Sequence, residues 1–415
     1  MGRGPSSPIG SGGTGSSPGS TGFSRSRCCR WCTSSCAFVH DLDALQRQVR
    51  DLTAPLPPGT EFFYAVKANN DPRLLRALAP WVSGFEVASS GEVLRVREAV
   101  GPSVRIVMGG PARTEDDIRM ILAHRVERLH VESLHALRLA NAVAARAGAI
   151  LPILLRVNLA GPVPGATLTM GGGATQFGIE QASIPDAIAV LDECGALRFE
   201  GFHFHTVSNN RDAAGHAALC AAELRLARGW AQEHGLDLRT VNLGGGWGVD
   251  YADLDWRFDV AGFARALAPE LGQGPRIQFE CGRIVAAYHA AYLCEVLDLK
   301  LSHGRAFALL RGGTHHFRLP SSWSHDHPFR IIPRDRWPHP WPRPEFTDRE
   351  ITLAGELCTP KDVLAREVTV QRVRVGDLVC FQMAGAYGWD ISHHDFLCHA
   401  HPDRLFLSEG ERVAA

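Results

Sequence analysis

The sequence predicts an α/β protein, a (β/α)8 barrel followed by a smaller β-rich domain. Two observations lead to this prediction. Short β-prone apolar runs alternate with amphipathic stretches eight times over roughly 230 residues, which suits the unit count and length of such a barrel. After about residue 290 the helical periodicity fades and strand-like runs follow, separated by a Pro-, Trp- and His-rich stretch over 320–345 that is typical of a loop. A doubly wound open sheet is the structural alternative.

Each element follows from its local pattern. The barrel strands are expected at 62–66, 84–88, 104–108, 128–131, 152–158, 201–205, 240–243 and 276–279. The helices between them are expected at 71–78, 91–99, 115–124, 134–147, 184–192, 213–234 and 260–271. Strands of the second domain are expected at 306–310, 350–353, 378–381 and 404–407. The chain therefore divides into a leader over 1–36, a barrel over 37–290 and a β-rich domain over 291–415.

Composition excludes several classes of protein. The chain has 415 residues, of which 45% are apolar and 21% charged, as in ordinary globular proteins. Its 43 basic and 44 acidic residues give a formal net charge of −1, which argues against a nucleic-acid surface spread over the whole protein. There is no run of 18 apolar residues, so we expect no membrane-spanning helix.

The leader carries no clear signal for export or for metal binding. Gly, Ser or Pro occupy 19 of residues 1–27, which predicts a flexible tail, and the lack of an apolar segment argues against a secretory signal. Cys28, Cys29, Cys32 and Cys36 have a spacing that suggests zinc, but no second ligand pair with finger spacing follows. The other seven cysteines are scattered, as in the reducing cytoplasm. We therefore expect a cytoplasmic protein without a metal.

Lysine chemistry has few candidates in this chain, because its only lysines are Lys67, Lys300 and Lys361. Lys67 directly follows the first predicted barrel strand, and barrel active sites lie at the carboxyl ends of the strands. Partial desolvation there favours the neutral, nucleophilic amine, which could form a Schiff base with a carbonyl cofactor. A surface lysine without a chemical role is the alternative.

The ends of the sixth, seventh and eighth strands carry further candidates. His203 and His205 share one face of the sixth strand, where an imidazole could stack on a planar cofactor, although core histidines or metal ligands are equal alternatives. Three glycines over 244–246 could close backbone N–H groups around a phosphate, or form a simple tight turn. Glu280 and Arg283 add a carboxylate and a bidentate phosphate ligand. With the lysine, this set predicts a pocket for a planar, phosphorylated aldehyde, and pyridoxal phosphate (PLP) is the obvious candidate.

On these residues the chain, over 37–407, resembles the fold-type III PLP-dependent decarboxylases. This is the group of ornithine and diaminopimelate decarboxylases, with an alanine-racemase-like barrel. The motifs are Tyr-Ala-Val-Lys-Ala-Asn over 64–69, His-x-x-Ser over 205–208, Gly-Gly-Gly over 244–246, Glu-Cys-Gly-Arg over 280–283, Gly-Glu-Leu-Cys-Thr-Pro-Lys-Asp over 355–362 and Gly-Ala-Tyr over 385–387. Two positions depart from the family pattern, because Cys281 replaces the usual proline and Val207 the usual glycine.

The resemblance implies a role for each matching residue. Lys67 would bind the cofactor, and Glu280 would pair with its pyridine nitrogen, where alanine racemases place an arginine. Cys358, acting from the partner subunit of a homodimer, would protonate the substrate carbon or position the substrate. A short N-terminal strand would join the β domain, which would form the dimer interface. The cofactor ring and phosphate would be held by His205, Ser208, Gly244, Gly245, Gly246, Gly282, Arg283 and Tyr387.

Three segments resemble one branch of this family, found in citrate-based siderophore pathways such as those for staphyloferrin B, achromobactin and vibrioferrin. These segments are 165–179, 312–320 and 385–402. The resemblance implies a substrate in which an amino acid is already joined to a carboxylate-rich acid, such as citryl-diaminopropionate. His315, His316 and Arg318 could meet the extra carboxylates, and Asp362 is a further substrate candidate. The later histidines could equally be surface residues, packing residues or metal ligands: His393, His394, His399 and His401.

Other functions stay open from the sequence. The chain could decarboxylate a free diamino acid (ornithine, arginine or diaminopimelate) or racemise an amino acid. It could be a regulatory homologue that keeps the barrel without the chemistry, or a barrel that binds sugar phosphates. The carboxylate of Glu280 favours a decarboxylase over a racemase, since it favours a protonated, electron-withdrawing pyridine ring.

Overall fold

The computed structural model describes residues 34–161, 168–169, 172–272, 274–323, 327–408 and 412–413, with the backbone alone at 168–169, 321, 323 and 412–413. Cys28, Cys29, Cys32, the rest of the leader up to residue 33 and part of the segment 165–179 lie outside the described residues. The strands are β1 (Cys36–Asp41), β2 (Glu61–Ala65), β3 (Gly84–Val87), β4 (Ile106–Met108), β5 (Arg128–Val131), β6 (Leu151–Asn158), β7 (Leu168–Thr169), β8 (Ile179–Glu180), β9 (Leu197–Phe204), β10 (Val207–Ser208), β11 (Thr240–Asn242), β12 (Arg276–Cys281), β13 (Ala290–Ser302), β14 (Arg305–Leu310), β15 (Phe329–Ile332), β16 (Glu345–Ala354), β17 (Val363–Arg374), β18 (Leu378–Phe381), β19 (Asp403–Leu407) and β20 (Arg412–Val413). The α-helices are α1 (Leu42–Thr53), α2 (Pro72–Leu78), α3 (Ser90–Val100), α4 (Glu115–Ala123), α5 (Leu134–Arg146), α6 (Ile184–Asp192), α7 (Ala213–Glu233), α8 (Val260–Leu267), α9 (Arg283–Ala286) and α10 (Leu319–Trp323).

Eight parallel strands close into a barrel, which confirms the predicted fold class. In chain order these are β2, β3, β4, β5, β6, β9, β11 and β12, and each pairs with the next. The last strand returns to pair with the first, with Glu280 opposite Phe63. Strand β9 begins at Leu197 rather than at residue 201. Its first residues include Arg198 and Glu200, which form an ion pair. These charged residues interrupt the apolar pattern by which the strand was predicted.

Side-chain caps mark the start of seven helices, whereas α6 begins without one. In each of the seven, a side-chain oxygen accepts a hydrogen bond from a backbone N–H in the first turn of the helix that follows. The capping residues are Asp41, Asp71, Ser89, Thr114, Ser133, Asp212 and Asp259. Because the eight barrel strands are parallel, their carboxyl ends lie at one rim. Among the described residues, every helix is too short or too polar to traverse a lipid bilayer.

A buried arginine occupies the interior of the barrel near its amino-terminal end. The guanidinium of Arg128 donates to Thr240 Oγ1 at 2.9 Å and to Gln278 Oε1 at 3.0 Å, and it pairs with Glu127 at 2.8 Å. Since side chains alternate along a strand, His130 shares this inner face of β5 and lies closer to the opposite rim. The barrel interior is therefore polar along its axis.

The second domain is a sheet to which both ends of the described chain contribute. Its strand order is β17-β16-β14-β13-β1-β19-β20, and β18 pairs with β13 and β15. Strand β1 runs antiparallel to β13 and parallel to β19. The strand begins at Cys36, so the last residue of the expected leader is part of this sheet.

Most of the described residues over 320–345 form a loop, as expected, but two short elements lie within this stretch. Phe329–Ile332 pairs with β18, and Leu319–Trp323 forms a short helix. Strands β13 and β17 were also missed. The first half of β13 is apolar and follows closely after α9, so its pattern does not separate it from the last barrel unit. The second half is exposed and carries Asp298 and Lys300, which are not typical of a strand.

The two domains meet beside the first barrel strand. Asn69 Nδ2 donates to Gly385 O at 2.9 Å, and the Tyr387 N–H donates to Ala68 O at 2.8 Å. These contacts place the segment over 385–387 next to Lys67, at the rim of the barrel.

Candidate active site

Lys67 lies at the mouth of the barrel, in the 3-10 turn Val66–Ala68 that follows β2. Its Nζ donates to Glu86 Oε2 at 2.6 Å. Glu86 is buried on the neighbouring strand β3, whereas 38% of the Lys67 side chain is exposed. The amine is therefore anchored from inside the barrel and accessible from the rim.

The charge of Lys67 differs from the expected neutral amine. Burial lowers the pKa of this amine, but the Glu86 carboxylate, aided by Tyr387 and Glu280, outweighs that effect and raises the pKa above its usual value. Without cofactor, Lys67 is therefore an ammonium ion paired with Glu86 at neutral pH. The expectation considered desolvation alone and missed the carboxylate on the adjacent strand.

Glu280 lies on β12 inside the barrel and is buried. Its Oε1 accepts a hydrogen bond from Asn242 Nδ2, and its Oε2 lies 3.1 Å from His203 Nε2. Asn242 Oδ1 accepts the Gly244 N–H at 2.9 Å. The carboxylate is thereby tied to the glycine turn after β11.

That glycine turn consists of Gly244, Gly245 and Gly246. The first and third have φ angles of +66° and +89°, in the region that favours glycine. A side chain on any of the three would collide with a backbone carbonyl of the surrounding strand ends and loops. Only glycine therefore fits these three positions, and a glycine turn after a strand suits the close approach of a phosphate.

His205 stands beside this turn, where β9 ends. Its Nδ1 accepts the Gly245 N–H at 3.2 Å, and its ring is parallel to the His203 ring, with 6.5 Å between their centres. Burial holds the pKa of His205 well below its usual value, so the imidazole is neutral. A neutral ring in this position is suited to cover a planar cofactor. Ser208 follows on the short strand β10, whose Val207 packs against Gly246.

Arg283 begins the helix after β12 and is buried. Its Nη1 donates to Tyr251 Oη at 3.1 Å, and its guanidinium carbon lies 4.5 Å from the centre of the Tyr387 ring. Gly282 packs so closely on Ala65 and Ala68 that a side chain would collide there. A cation and two phenols from both domains therefore meet at the rim.

This set of groups fits pyridoxal phosphate. An amine, a buried carboxylate, and a glycine turn beside an arginine match an aldehyde, a pyridine nitrogen and a phosphate. Both ring nitrogens of His130 and the Nδ1 of His203 are buried without a hydrogen-bond partner in the described part of the chain. Buried polar atoms of this kind are expected where a polar ring binds. Residues 42–287 match the family model described as "Pyridoxal-dependent decarboxylase, pyridoxal binding domain".

The chain belongs to the pyridoxal-dependent decarboxylase family. It is a PLP-dependent amino-acid decarboxylase by this membership, and PLP is its cofactor. A Staphylococcus aureus relative, 2-[(L-alanin-3-ylcarbamoyl)methyl]-2-hydroxybutanedioate decarboxylase, is 42% identical over 90% of this chain and 94% of its own. The L-glutamyl-[BtrI acyl-carrier protein] decarboxylase of Niallia circulans is 28% identical over 90% and 89%. The Helicobacter pylori diaminopimelate decarboxylase complexed with L-lysine shares the fold, with a TM-score of 0.82, 22% identity, and coverage of 93% of this chain and 94% of its own.

Three of the expected substrate residues are buried inside the β domain of this chain. Asp362 is buried, and its two oxygens accept the Thr314 N–H at 2.6 Å and the Leu357 N–H at 2.8 Å. His315 and His316 are buried with their rings 3.9 Å apart. Asp362 thus holds the loop at Thr314 to the loop at Leu357, and direct contact of these three residues with the substrate stays a prediction.

Cys358 and Arg318 are exposed on the same domain. The loop that carries Cys358 is braced by Asp362 and by Glu356, whose Oε1 accepts the Gly312 N–H at 2.7 Å. The Arg318 N–H donates to Ser392 Oγ at 3.0 Å. Both side chains thus project from loops with fixed backbones.

Sequence reasoning missed four residues of the decarboxylase site: Glu86, His130, Asn242 and Tyr251. The first three are polar residues near the carboxyl ends of short apolar strands, the place where barrel sites are built. A search of every strand for such residues would have found them. Tyr251 lies seven positions after Gly244 in a loop, and no local pattern marks it.

Proposed function

We propose that this decarboxylase removes CO2 from an amino acid joined by an amide to a citrate-like polycarboxylate, leaving an amine for siderophore-type assembly. The observation that carries this proposal is the 42% identity with the Staphylococcus aureus enzyme over 90% of the chain. The name of that enzyme describes a citrate skeleton whose side arm is joined through an amide to carbon 3 of L-alanine. The Niallia circulans relative, at lower identity, is named for a glutamyl group on a carrier protein, so attached amino acids recur among relatives.

The residues at the rim and in the interior of the barrel would have different roles in cofactor binding and decarboxylation. When bound, PLP supplies an electron sink for the pair left on Cα as CO2 departs. Lys67 would hold the cofactor through its amine, and Glu86 would hold the proton at Nζ. Glu280 would keep the pyridine nitrogen protonated, which favours loss of CO2 over racemisation. His205 would cover one face of the ring and exclude water, and the phosphate would be held by Ser208, Gly244, Gly245, Gly246, Gly282, Arg283 and Tyr387.

We also propose that the active sites are shared within a cytoplasmic homodimer. The exposed thiol of Cys358 on its braced loop would reach the partner's substrate, to protonate Cα or position it. Phe396 and Leu397 are each 45% exposed on the same domain, and a second subunit would cover such large apolar side chains. All eight cysteines in the described ranges are free, which supports the reducing cytoplasm.

The carboxylates of the substrate would require polar or cationic partners, and two side chains of the β domain are candidates. Arg318 is exposed, and its positive charge acts on the nearby His393. His399 is 30% exposed, with its Nδ1 3.7 Å from Glu356, two residues before Cys358. A guanidinium binds a carboxylate through two parallel hydrogen bonds, so Arg318 is the strongest candidate for the citrate end.

Carbon dioxide release from the amide of citrate and 2,3-diaminopropionate tests this proposal. The holoenzyme should release CO2 and form the amine, and Lys67→Ala should reduce turnover by at least roughly a thousandfold. Arg318→Gln should raise KM for this substrate by about tenfold with little change in kcat, because it removes binding remote from the reacting carbon. Racemised substrate without CO2, or a fully active Lys67→Ala variant, would contradict the proposal.

A further inference from the structure

Two histidines lie face to face in the centre of the barrel. His130 on β5 and His203 on β9 have ring centres 4.2 Å apart and an angle of 22° between the ring planes. Their side chains are 0% and 3% exposed. None of the roles described above uses His130, although a buried imidazole without a hydrogen-bond partner is costly to retain in a core.

Both rings face the carboxylate of Glu280, each toward its own oxygen. His203 Nε2 lies 3.1 Å from Oε2, and His130 Nε2 lies 3.7 Å from Oε1. Burial holds the pKa of each histidine well below its usual value, so each ring is neutral and carries one N–H. Asn242 and Gln278 place amide groups on the same Oε1, and Gln278 in turn accepts from Arg128. The carboxylate is thus surrounded by oriented neutral dipoles.

His130, His203 and Glu280 are also a candidate metal site, because they carry metal-binding atoms that lie within 4.8 Å of one another. The geometry argues against it. The lone pairs of an imidazole lie in the plane of its ring, and two ring planes 22° apart with centres 4.2 Å apart do not bring them together on one ion. The parallel arrangement instead matches the two oxygens of one carboxylate.

We propose that His130 is a positioning residue for the cofactor's ring nitrogen, because it stacks on His203 and faces Glu280 Oε1. His203 is thereby fixed with its Nε2 on Oε2, and the carboxylate is held in one rotamer. The Glu280 carboxylate is then already oriented toward the pyridine nitrogen when the cofactor binds. This inference concerns the cofactor shared by the family and does not depend on which substrate is used.

Binding of PLP and of its 1-deaza analogue, in which carbon replaces the ring nitrogen, tests the proposal. His130→Phe keeps an aromatic ring against His203 but removes the nitrogen that faces Glu280. In reconstitution of the apoenzyme it should weaken PLP binding about tenfold or more and change binding of the analogue less than about twofold. His130→Gln, which restores an N–H, should keep PLP affinity within about threefold of the wild type.

His289→Phe is the matched control, since His289 is also buried and its charged neighbours are Asp41, Arg47 and Arg257. It should leave the preference for PLP over the analogue unchanged. Equal losses for both ligands in His130→Phe would show a packing role only and overturn the proposal, as would unchanged PLP binding. If His130→Phe does not fold, His130→Leu, which also lacks the nitrogen, replaces it, and the same two results overturn the proposal.

Discussion

The pairing of Lys67 with Glu86 governs how the cofactor enters the site. The amine must be neutral to react with an aldehyde, yet Glu86 raises its pKa and keeps the proton on Nζ. We therefore expect the carboxylate to slow capture of the cofactor in the empty enzyme. The same carboxylate, 2.6 Å from the nitrogen, can hold a proton that the amine releases later.

Glu86→Gln should make the apoenzyme take up PLP faster at neutral pH. Without the carboxylate, burial dominates and the pKa of Lys67 falls, so the neutral fraction at pH 7 rises roughly tenfold for each unit of decrease. The rate of PLP incorporation, followed by absorbance, should rise with pH in both proteins and do so at lower pH in the variant. Glu356→Gln, on the Cys358 loop, serves as the control and should follow the wild type. Overlapping profiles for Glu86→Gln and the wild type would contradict the assigned ion pair.

Single residues differ in how far the sequence predicts them. Lys67 follows an apolar strand and Glu280 lies near the carboxyl end of another, so the strand pattern predicts that one lies at the rim and the other in the interior. His315, His316 and Asp362 lie in a domain whose register the pattern does not set, and their burial depends on long-range pairing such as the contact of Asp362 with Thr314. A pair such as Lys67 with Glu86 depends on which strands are neighbours, and this follows from the closed barrel rather than from either segment alone.

Helix α7 carries a buried acid that faces the segment leading to the cofactor. Glu223 Oε1 accepts from Thr206 Oγ1 at 2.7 Å, next to His205. Burial raises the pKa of Glu223 from 4.5 to about 8. The folded protein therefore binds a proton that the unfolded chain releases between these values, and this group destabilises the fold as pH rises through that window.

Glu223→Gln should remove this pH dependence, because the amide oxygen keeps the hydrogen bond and carries no charge. The variant's Tm should exceed that of the wild type by an amount that grows between about pH 5 and about pH 9. Glu233→Gln, an exposed change on the same helix, should leave the Tm difference near zero at every pH. A constant offset for Glu223→Gln would rule out the buried charge as its cause.

The arginine inside the barrel should matter more for stability than any surface pair. Arg128→Ala leaves Glu127 and Glu61 without their buried partner and should lower the free energy of unfolding by about 3–5 kcal/mol. Arg119→Ala removes an exposed pair with Glu115 on α4 and should cost below about 1 kcal/mol. Denaturant titration of both variants provides the comparison, and similar losses would contradict a structural role for the interior network.

At the scale of elements, the barrel was the more predictable part. Each βα unit carries its own signals, an apolar strand and then a capping residue such as Ser133 or Asp212, so local sequence suffices. The β domain lacks such signals. Strand β15 (Phe329–Ile332) is stabilised by pairing with β18, about 50 residues later in the chain. Its own sequence does not indicate which strand it pairs with.

The whole molecule is expected to function as a dimer with shared sites. If Cys358 acts across the interface, Lys67→Ala and Cys358→Ala subunits should restore activity when mixed, because one of the two sites in a mixed dimer contains both residues. Random mixing in equal amounts should recover about a quarter of wild-type turnover. Sedimentation of the mixture must show dimers, and if it does, absence of any recovery would refute the shared site.

Decarboxylation of an amino acid attached to a citrate-like acid can be compared with that of free diamino acids in a single reaction. The holoenzyme receives equal concentrations of the citrate–diaminopropionate amide, ornithine, arginine and diaminopimelate, and the four amines formed, which differ in mass, are quantified by mass spectrometry. The ratio of products reports the ratio of kcat/KM values. The amine of the citrate amide should exceed every other product by at least about a hundredfold; a dominant product from a free diamino acid would contradict the proposed function.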